Sequence, residues 1–364
     1  MKILSFLKRF NWFLILPAFL LTFLGLLSIY SISSGRGDFL NFKKQIIFLF
    51  LSLFLIVFLS FFDLRFLKRN SYFVLILYFL SLLSLFGLIF LGTEIRGVKG
   101  WYRIGLFSFD PVPFSAIFLI IVLSKYFSTR HIETKRFQPI LFSFLYLLFP
   151  LILVLIQPDL GSSLTLIFVW LGIVIFSGIE LRHFLILTLI FLVFISLAWQ
   201  FWLKDYQRQR IISFLNPEID PQGISWNINQ SKIAVGSGGF FGKGIFRGSQ
   251  AQYGFLPEPQ TDFIFSSLAE ETGFLGVFIL IFSLSFLFYK IMKIALRVED
   301  NFTRLFASGF GFLLLSQSFI NIGMCLGLFP IIGIPLPFVS YGGSQLLAFY
   351  LGLGILASLA KVRS

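Results

Sequence analysis

The chain has 364 residues, 57% of them hydrophobic and only 12% charged, with a mean hydropathy of +0.93. A soluble domain carries about 25% charged residues, so the composition is that of a membrane protein. A single cysteine, Cys325, excludes an intramolecular disulfide, and with only two separated histidines, His131 and His183, the sequence argues against a zinc site or a Ser-His-Asp triad. Chemistry therefore falls to carboxylates, lysines and hydroxyls. The net charge of +13 suits anionic lipid headgroups or a phosphate-bearing substrate, and so apolar a chain is not built for nucleic acid.

Lys2, Lys8 and Arg9 precede an apolar run from Trp12 to about Ser33, too long for a signal-peptide core and without a small-residue cleavage site. It reads as an uncleaved first helix. Further runs long enough to cross a bilayer follow at about 44–62, 72–92, 112–127, 137–156, 160–179, 184–203, 263–290, 305–328 and 343–360. The expected fold is an all-α integral membrane protein of about ten transmembrane helices, one polytopic domain over 1–364. Its one large loop, 204–262, lies between helices 7 and 8. The 53 phenylalanines read as lipid-facing and interhelical filler.

Basic residues orient the chain. With the N-terminus inside, the cytoplasmic segments hold 17 of the 29 lysines and arginines, and six of the remaining 12 sit in the large loop. Both termini are thus expected in the cytoplasm and the loop outside. Most acids fall outside as well: Asp38, Glu94, Asp110, Asp159, Asp205, Glu218, Asp220, Glu258 and Asp262. No nucleotide triphosphate is present on that face. The glycine-rich GSGGFFGKG (Gly236–Gly244) also fails as a phosphate loop, having Ser237 where the first glycine belongs and Gly244 where Ser or Thr belongs.

Asp262 stands where the outer loop becomes a helix, after Pro257 and Pro259. Thr261 or Asp262 could cap that helix. A carboxylate at the bilayer edge beside Phe263 and Phe265 is equally a candidate general base. Along the same helix, Glu270 comes about 80° round from Asp262 and Glu271 about opposite. Glu270 is expected at the Asp262 cavity and Glu271 against a basic group on a neighbouring helix. Arg208, Arg210, Lys232, Lys243 and Arg247 make the loop basic, which suits either headgroup contact or binding of a pyrophosphate.

The stretch LPEPQTDFIFSSLAEETG closely resembles the LPE-x-x-TDFIF-x-x-x-EE-x-G segment of the SEDS family (shape, elongation, division and sporulation) of bacterial membrane proteins. The likeness extends to YQRQR, NQSKIAVGSGG and GKG in the loop, to QPDLG (Gln157–Gly161), NIGM (Asn321–Met324) and GLFPIIGIPLPFVSYGGSQ (Gly327–Gln345). The last is apolar, rich in Pro and Gly, and cannot be a regular helix, so it is expected to line a buried or aqueous cavity. Leu160 in QPDLG favours the elongation branch, as does the lack of an extended cytoplasmic tail.

The resemblance implies a peptidoglycan glycosyltransferase of the cytoplasmic (inner) membrane. It would polymerise lipid II on the outer face for elongation and cell shape, with a class B penicillin-binding transpeptidase as partner. It implies Asp262 as the catalytic residue and favours Arg210, Lys232 and Lys243 for the pyrophosphate. Glu258, Asp159 and Glu270 are further candidates for substrate contact, although Asp159 could simply cap its helix. The leaving pyrophosphate needs positive charge from basic residues or a divalent cation (Mg2+ or Mn2+). A lipid II flippase, or an inactive scaffold for the transpeptidase, is the alternative. One departure bears on this: the family's FQPSE-x-x-K appears here as FDPVPFSA, so Pro113 and Ala116 replace a glutamate and a lysine. If those two form a pair, both partners are lost together and no charge is orphaned.

Overall fold

Runs of apolar side chains with no polar face bury their backbone amides only by closing them into helices, and helices dominate the molecule. The computed structural model describes residues 12–95, 97–105, 107–129, 137–201, 205–216 and 223–360. The basic residues Lys2, Lys8, Arg9, Arg96, Lys204, Lys361 and Arg363, the 130–136 connection and residues 217–222 of the large loop lie outside the described residues.

Helices α1 (Trp12–Arg36), α2 (Leu40–Phe61), the one-turn α3 (Phe66–Arg69) and α4 (Ser71–Leu91) lead into three short strands. These are β1 (Thr93–Ile95), β2 (Val98–Ile104) and β3 (Phe107–Phe109), an antiparallel meander in that order. The all-α expectation omitted this sheet. Its turns fall at Gly97 and Gly105, both at positive φ, and β1 and β3, of three residues each, are too short to show period-two patterning. Then come α5 (Val112–Thr129), α6 (Phe137–Ile156), α7 (Leu160–Phe176) and α8 (Leu181–Phe201). The large loop holds α9 (Asp205–Leu215), α10 (Ile224–Ser237) and the short α11 (Ser249–Gln252). The chain closes with α12 (Ile264–Arg297), α13 (Asn301–Cys325) and α14 (Gly343–Leu359).

Among the described residues, seven helices are long and apolar enough to cross a membrane: α1, α2, α4, α5, α6, α12 and α13. The shorter apolar α7 and α14, with α8 over the 184–203 run, complete the expected ten. The core is built around α13, which packs against α5, α7 and α12. Its buried Phe306 and Phe310 stack 6.3 Å apart, and Phe310 fits against Gly352 of α14. Other phenylalanines face outward. Phe274, Phe278, Phe282 and Phe286 follow one another at i, i+4 along α12, with ring centroids 6.2–6.3 Å apart.

The chain between α13 and α14 runs without regular structure through Ile331–Pro337, as its prolines and glycines require. Its polar backbone is satisfied from outside. Asn321 of α13 donates to the Ile334 carbonyl at 2.7 Å, Ser340 Oγ accepts from Leu336 N at 2.8 Å, and Tyr341 N donates to the Gln260 carbonyl at 2.8 Å. Buried irregular backbone in a membrane protein survives only with such partners.

A second join fixes the large loop. Helix α12 is broken at Gly273 (φ 65, ψ −161), a conformation open essentially to glycine alone. The break frees the carbonyls of Glu270 and Glu271 and the amides of Phe274 and Leu275, which a continuous helix would pair with each other. The GSGGFFGKG segment supplies all four partners. Lys243 N and Gly244 N donate to Glu270 O and Glu271 O, both at 3.0 Å, while Phe274 N and Leu275 N donate to Gly239 O and Phe240 O at 2.9 and 3.2 Å. The backbones touch at Gly242, where a Cβ would collide with the Glu271 carbonyl. The glycines of this loop serve a close backbone approach.

Candidate functional site

Asp262 ends a tight turn built by Leu256–Thr261. Glu258, at φ 43, offers its carbonyl to Thr261 N and Phe263 N, each at 3.2 Å, and its carboxylate accepts from the Thr261 hydroxyl at 3.3 Å. Glu258 thus holds the approach to Asp262 from behind. Phe263, one residue beyond Asp262, takes the N-cap position of α12 and makes no side-chain cap. The Asp262 backbone is pinned by α13: its carbonyl accepts from Asn321 Nδ2 at 2.9 Å and from Cys325 Sγ at 3.5 Å. Ser340 Oγ donates to the Thr261 carbonyl at 2.7 Å.

The Asp262 carboxylate is half-buried and faces the irregular segment. A Cβ on Gly333 would stand 3.6 Å from its Oδ2. On the other side of that segment lies the start of α7, where a Cβ on Gly161 would meet the Ile332 carbonyl at 3.2 Å and Ile334 at 3.0 Å. Asp159 caps α7, accepting from Ser162 N at 3.0 Å and Ser162 Oγ at 2.6 Å. The capping reading of Asp159 is thereby observed.

Asp110 joins this group. Its amide donates to Ser344 Oγ at the start of α14 at 2.9 Å, and its Oδ1 accepts from Val112 N at 2.9 Å. Desolvation pushes its carboxyl up from the usual 3.8 to about 7; the Val112 amide opposes the shift and the nearby Asp159 charge adds to it. Desolvation also raises Asp159, against the Ser162 hydrogen bonds. Pro113 falls in the first turn of α5, where proline is tolerated, and Ala116 is buried. A lysine at 116 would need a partner inside the protein, as the departure from the family pattern suggests. Among the described residues no group of three or more His, Cys, Asp or Glu side chains could hold a metal ion. Asp110 and Asp159 are two neighbouring carboxylates, and two protein carboxylates suffice for Mg2+ when substrate phosphates and water complete its shell.

The basic candidates separate. Helix α10 is tied to the core where Ser231 Oγ meets Ser266 Oγ at 2.6 Å and donates to the Cys325 carbonyl at 2.7 Å. The adjacent Lys232 is exposed, its ammonium over the backbone of Gly327, at the entrance to the irregular segment. Lys243 is engaged elsewhere: its Nζ lies 2.6 Å from Glu270 Oε1 and 3.0 Å from Ser249 Oγ. The fully buried Glu270 also accepts from Ser249 Oγ at 3.0 Å and Gln250 N at 3.1 Å. Glu271 accepts from the Ser31 hydroxyl and from Gln252 Nε2. The lysine therefore goes to Glu270, and Glu271 takes uncharged donors, the reverse of the helical-wheel expectation. Residues 259–263 form turns rather than helix, so counting 100° per residue from Asp262 does not apply. Arg210 lies in α9, and its side chain lies outside the described residues. Sequence reasoning gave no role to Asn321 or Ser340. A lone amide near the end of an apolar span signals a buried partner, though not which one.

These features define a polytopic membrane protein whose polar groups gather at one end of the helix bundle, around a carboxylate held at a loop-to-helix junction against irregular backbone. The chain belongs to the FtsW/RodA/SpoVE family of cell cycle proteins, matching it over residues 11–364. The peptidoglycan glycosyltransferase MrdB of Escherichia coli K12 is 37% identical over 283 residues, covering 78% of this chain and 76% of that protein. The peptidoglycan glycosyltransferase RodA of Treponema pallidum is 32% identical, covering 96% and 97%. Among solved structures, one from a peptidoglycan synthase complex that coordinates polymerization and crosslinking superposes with a TM-score of 0.79 at 30% identity, covering 96% of this chain and 97% of that one. Thermus thermophilus RodA superposes with a TM-score of 0.71 at 29% identity, covering 96% of each chain.

Proposed function

We propose that this chain is a peptidoglycan glycosyltransferase that polymerises lipid II at the outer face of the bacterial cytoplasmic membrane. The supporting observation is the placement of Asp262, its carbonyl held by Asn321, the preceding Thr261 carbonyl held by Ser340, and its carboxylate turned toward the Gly333 segment. In the reaction a sugar hydroxyl of one lipid-linked substrate attacks the anomeric carbon of another. The C–O bond to the polyprenyl pyrophosphate breaks with inversion, and Asp262 takes the hydroxyl proton as general base. Lys232, exposed over Gly327, would meet the pyrophosphate. Lys243, whose charge is already matched by Glu270, serves the loop. Asp110 and Asp159 would hold a divalent cation, where used, and it would supply positive charge to the leaving pyrophosphate.

Family membership and likeness to a synthase complex support a class B penicillin-binding transpeptidase as partner. The bias of lysines and arginines toward the short segments on the N-terminal side supports cytoplasmic termini and an outward 204–262 loop. The test is turnover of labelled lipid II by the purified full chain, with and without such a transpeptidase. Glycan polymer is the expected product. Transfer of lipid II across vesicles without polymer would favour a flippase, and absence of both would leave a scaffold.

A further inference from the structure

At the end of the bundle away from Asp262, a pocket of about 260 Å³ opens between α1, the end of α12 and the end of α14. Its walls are Phe13, Ile294, Val298 and Ala360, and three cations line it: Lys290, Lys293 and Arg297. Among the described residues, no acidic residue takes part in the lining. Lys290 and Lys293 are only partly exposed, and none of the three has a carboxylate partner among the described residues. Beyond α12, Glu299 follows Val298 and is exposed outside the lining, and Asp300 is engaged by Lys68 at 2.7 Å. Aromatic faces take the place of counter-ions. Lys290 Nζ lies 4.2 Å from the Phe13 ring centre and 5.0 Å from that of Phe286, and Lys293 Nζ lies 5.6 Å from that of Tyr289.

Depth places this pocket. Lys290 follows Gly273 by a run without a charged residue, and at 1.5 Å per residue that run rises about 26 Å. The hydrocarbon layer is about 30 Å thick. The pocket therefore sits at headgroup level in the leaflet opposite the Asp262 loop. It is apolar on the side that meets acyl chains and cationic where a phosphate would rest. Spacings of three and four residues put Lys290, Lys293 and Arg297 on one face of α12, converging on that spot.

We propose that this pocket binds the phosphate headgroup of an acidic phospholipid from the leaflet opposite the active site. Partly desolvated lysines on aromatic rings, with no acid in the lining among the described residues, suit a ligand that brings its own negative charge, and basic pockets between transmembrane helices bind such headgroups. The site needs nothing from the proposed glycosyl transfer, so a binding measurement tests it independently.

The full chain in zwitterionic detergent is titrated with phosphatidylglycerol, and bound lipid is counted by native mass spectrometry. One tightly retained phosphatidylglycerol is expected, with phosphatidylcholine not retained. Lys290→Gln with Lys293→Gln should weaken retention roughly 30-fold, while the equal charge loss of Arg69→Gln with Arg182→Gln, both exposed elsewhere, should leave it unchanged. Where the double variant does not fold, the exposed Arg297→Gln is read instead, with weakening of about fivefold expected. Equal weakening by both double variants would reduce the effect to bulk charge and overturn the site, as would equal retention of phosphatidylcholine. Displacement by millimolar inorganic phosphate would assign the pocket to a free anion and overturn the lipid.

Discussion

Lys243 and the fully buried Glu270 meet at 2.6 Å, joining the tip of the large loop to the helix that begins beside Asp262. The pair reinforces the backbone exchange around Gly273, so the loop behaves as part of α12. Removing the lysine leaves Glu270 buried with hydroxyl and amide donors only. Lys243 is about one-third exposed, which screens the pair, so Lys243→Ala should cost about 2 kcal/mol. Glu270→Gln in the same chain should restore part of that loss, because no unpaired charge remains. Thermal unfolding of the two single variants and the double variant measures the coupling. Independent, additive losses would show that the pair does not hold the loop.

Asp262→Asn should abolish polymerisation while leaving folding intact. Asparagine keeps the shape but cannot accept a proton at neutral pH, and general-base help is worth about 10²–10⁴ in rate. The backbone contacts to Asn321 and Cys325 use the main-chain carbonyl and survive the change. An unchanged unfolding temperature with residual rate near background is expected. Near-native polymerisation would remove Asp262 from the chemistry.

Asp110 should make stability depend on pH. Its folded carboxyl is pushed up to about 7, chiefly by desolvation. Between about pH 4 and 7 the folded chain therefore holds this proton more tightly than the unfolded chain, and stability falls as pH rises through that window. Asp159 is shifted in the same direction by desolvation. The protein should unfold at lower temperature at pH 8 than at pH 6, and Asp110→Asn should reduce that difference. An undiminished difference in the variant would place the titration elsewhere.

Ala116 is buried on α5, three residues after Pro113 and on the same side of the helix. Ala116→Lys alone should destabilise the protein by roughly 2–4 kcal/mol, through an unpaired buried charge and overpacking. Adding Pro113→Glu supplies an i, i+3 partner and should recover part of the loss. The double variant should also polymerise more than the single in the absence of a partner protein. If the two variants unfold at the same temperature, positions 113 and 116 do not act as a pair in this chain.

What the sequence determined by itself follows from the bilayer. Apolar runs of fixed length, broken by charged connections, place ten helices and one large loop, because lipid leaves a backbone no partner except its own helix. The TDFIF and QPDLG stretches mark carboxylates at helix starts, and the Pro- and Gly-rich run after Asn321 announces irregular backbone. The tertiary structure decided the pairings. Glu271 meets Ser31 across 240 residues of sequence, and Asp110 meets Ser344 across 234. It also decided that Glu270 rather than Glu271 takes the lysine, since the chain is not yet helical at Asp262 and breaks again at Gly273. Local periodicity carries information only while backbone geometry repeats. At a turn, a broken helix or a three-residue strand, what a side chain meets depends on how distant segments pack.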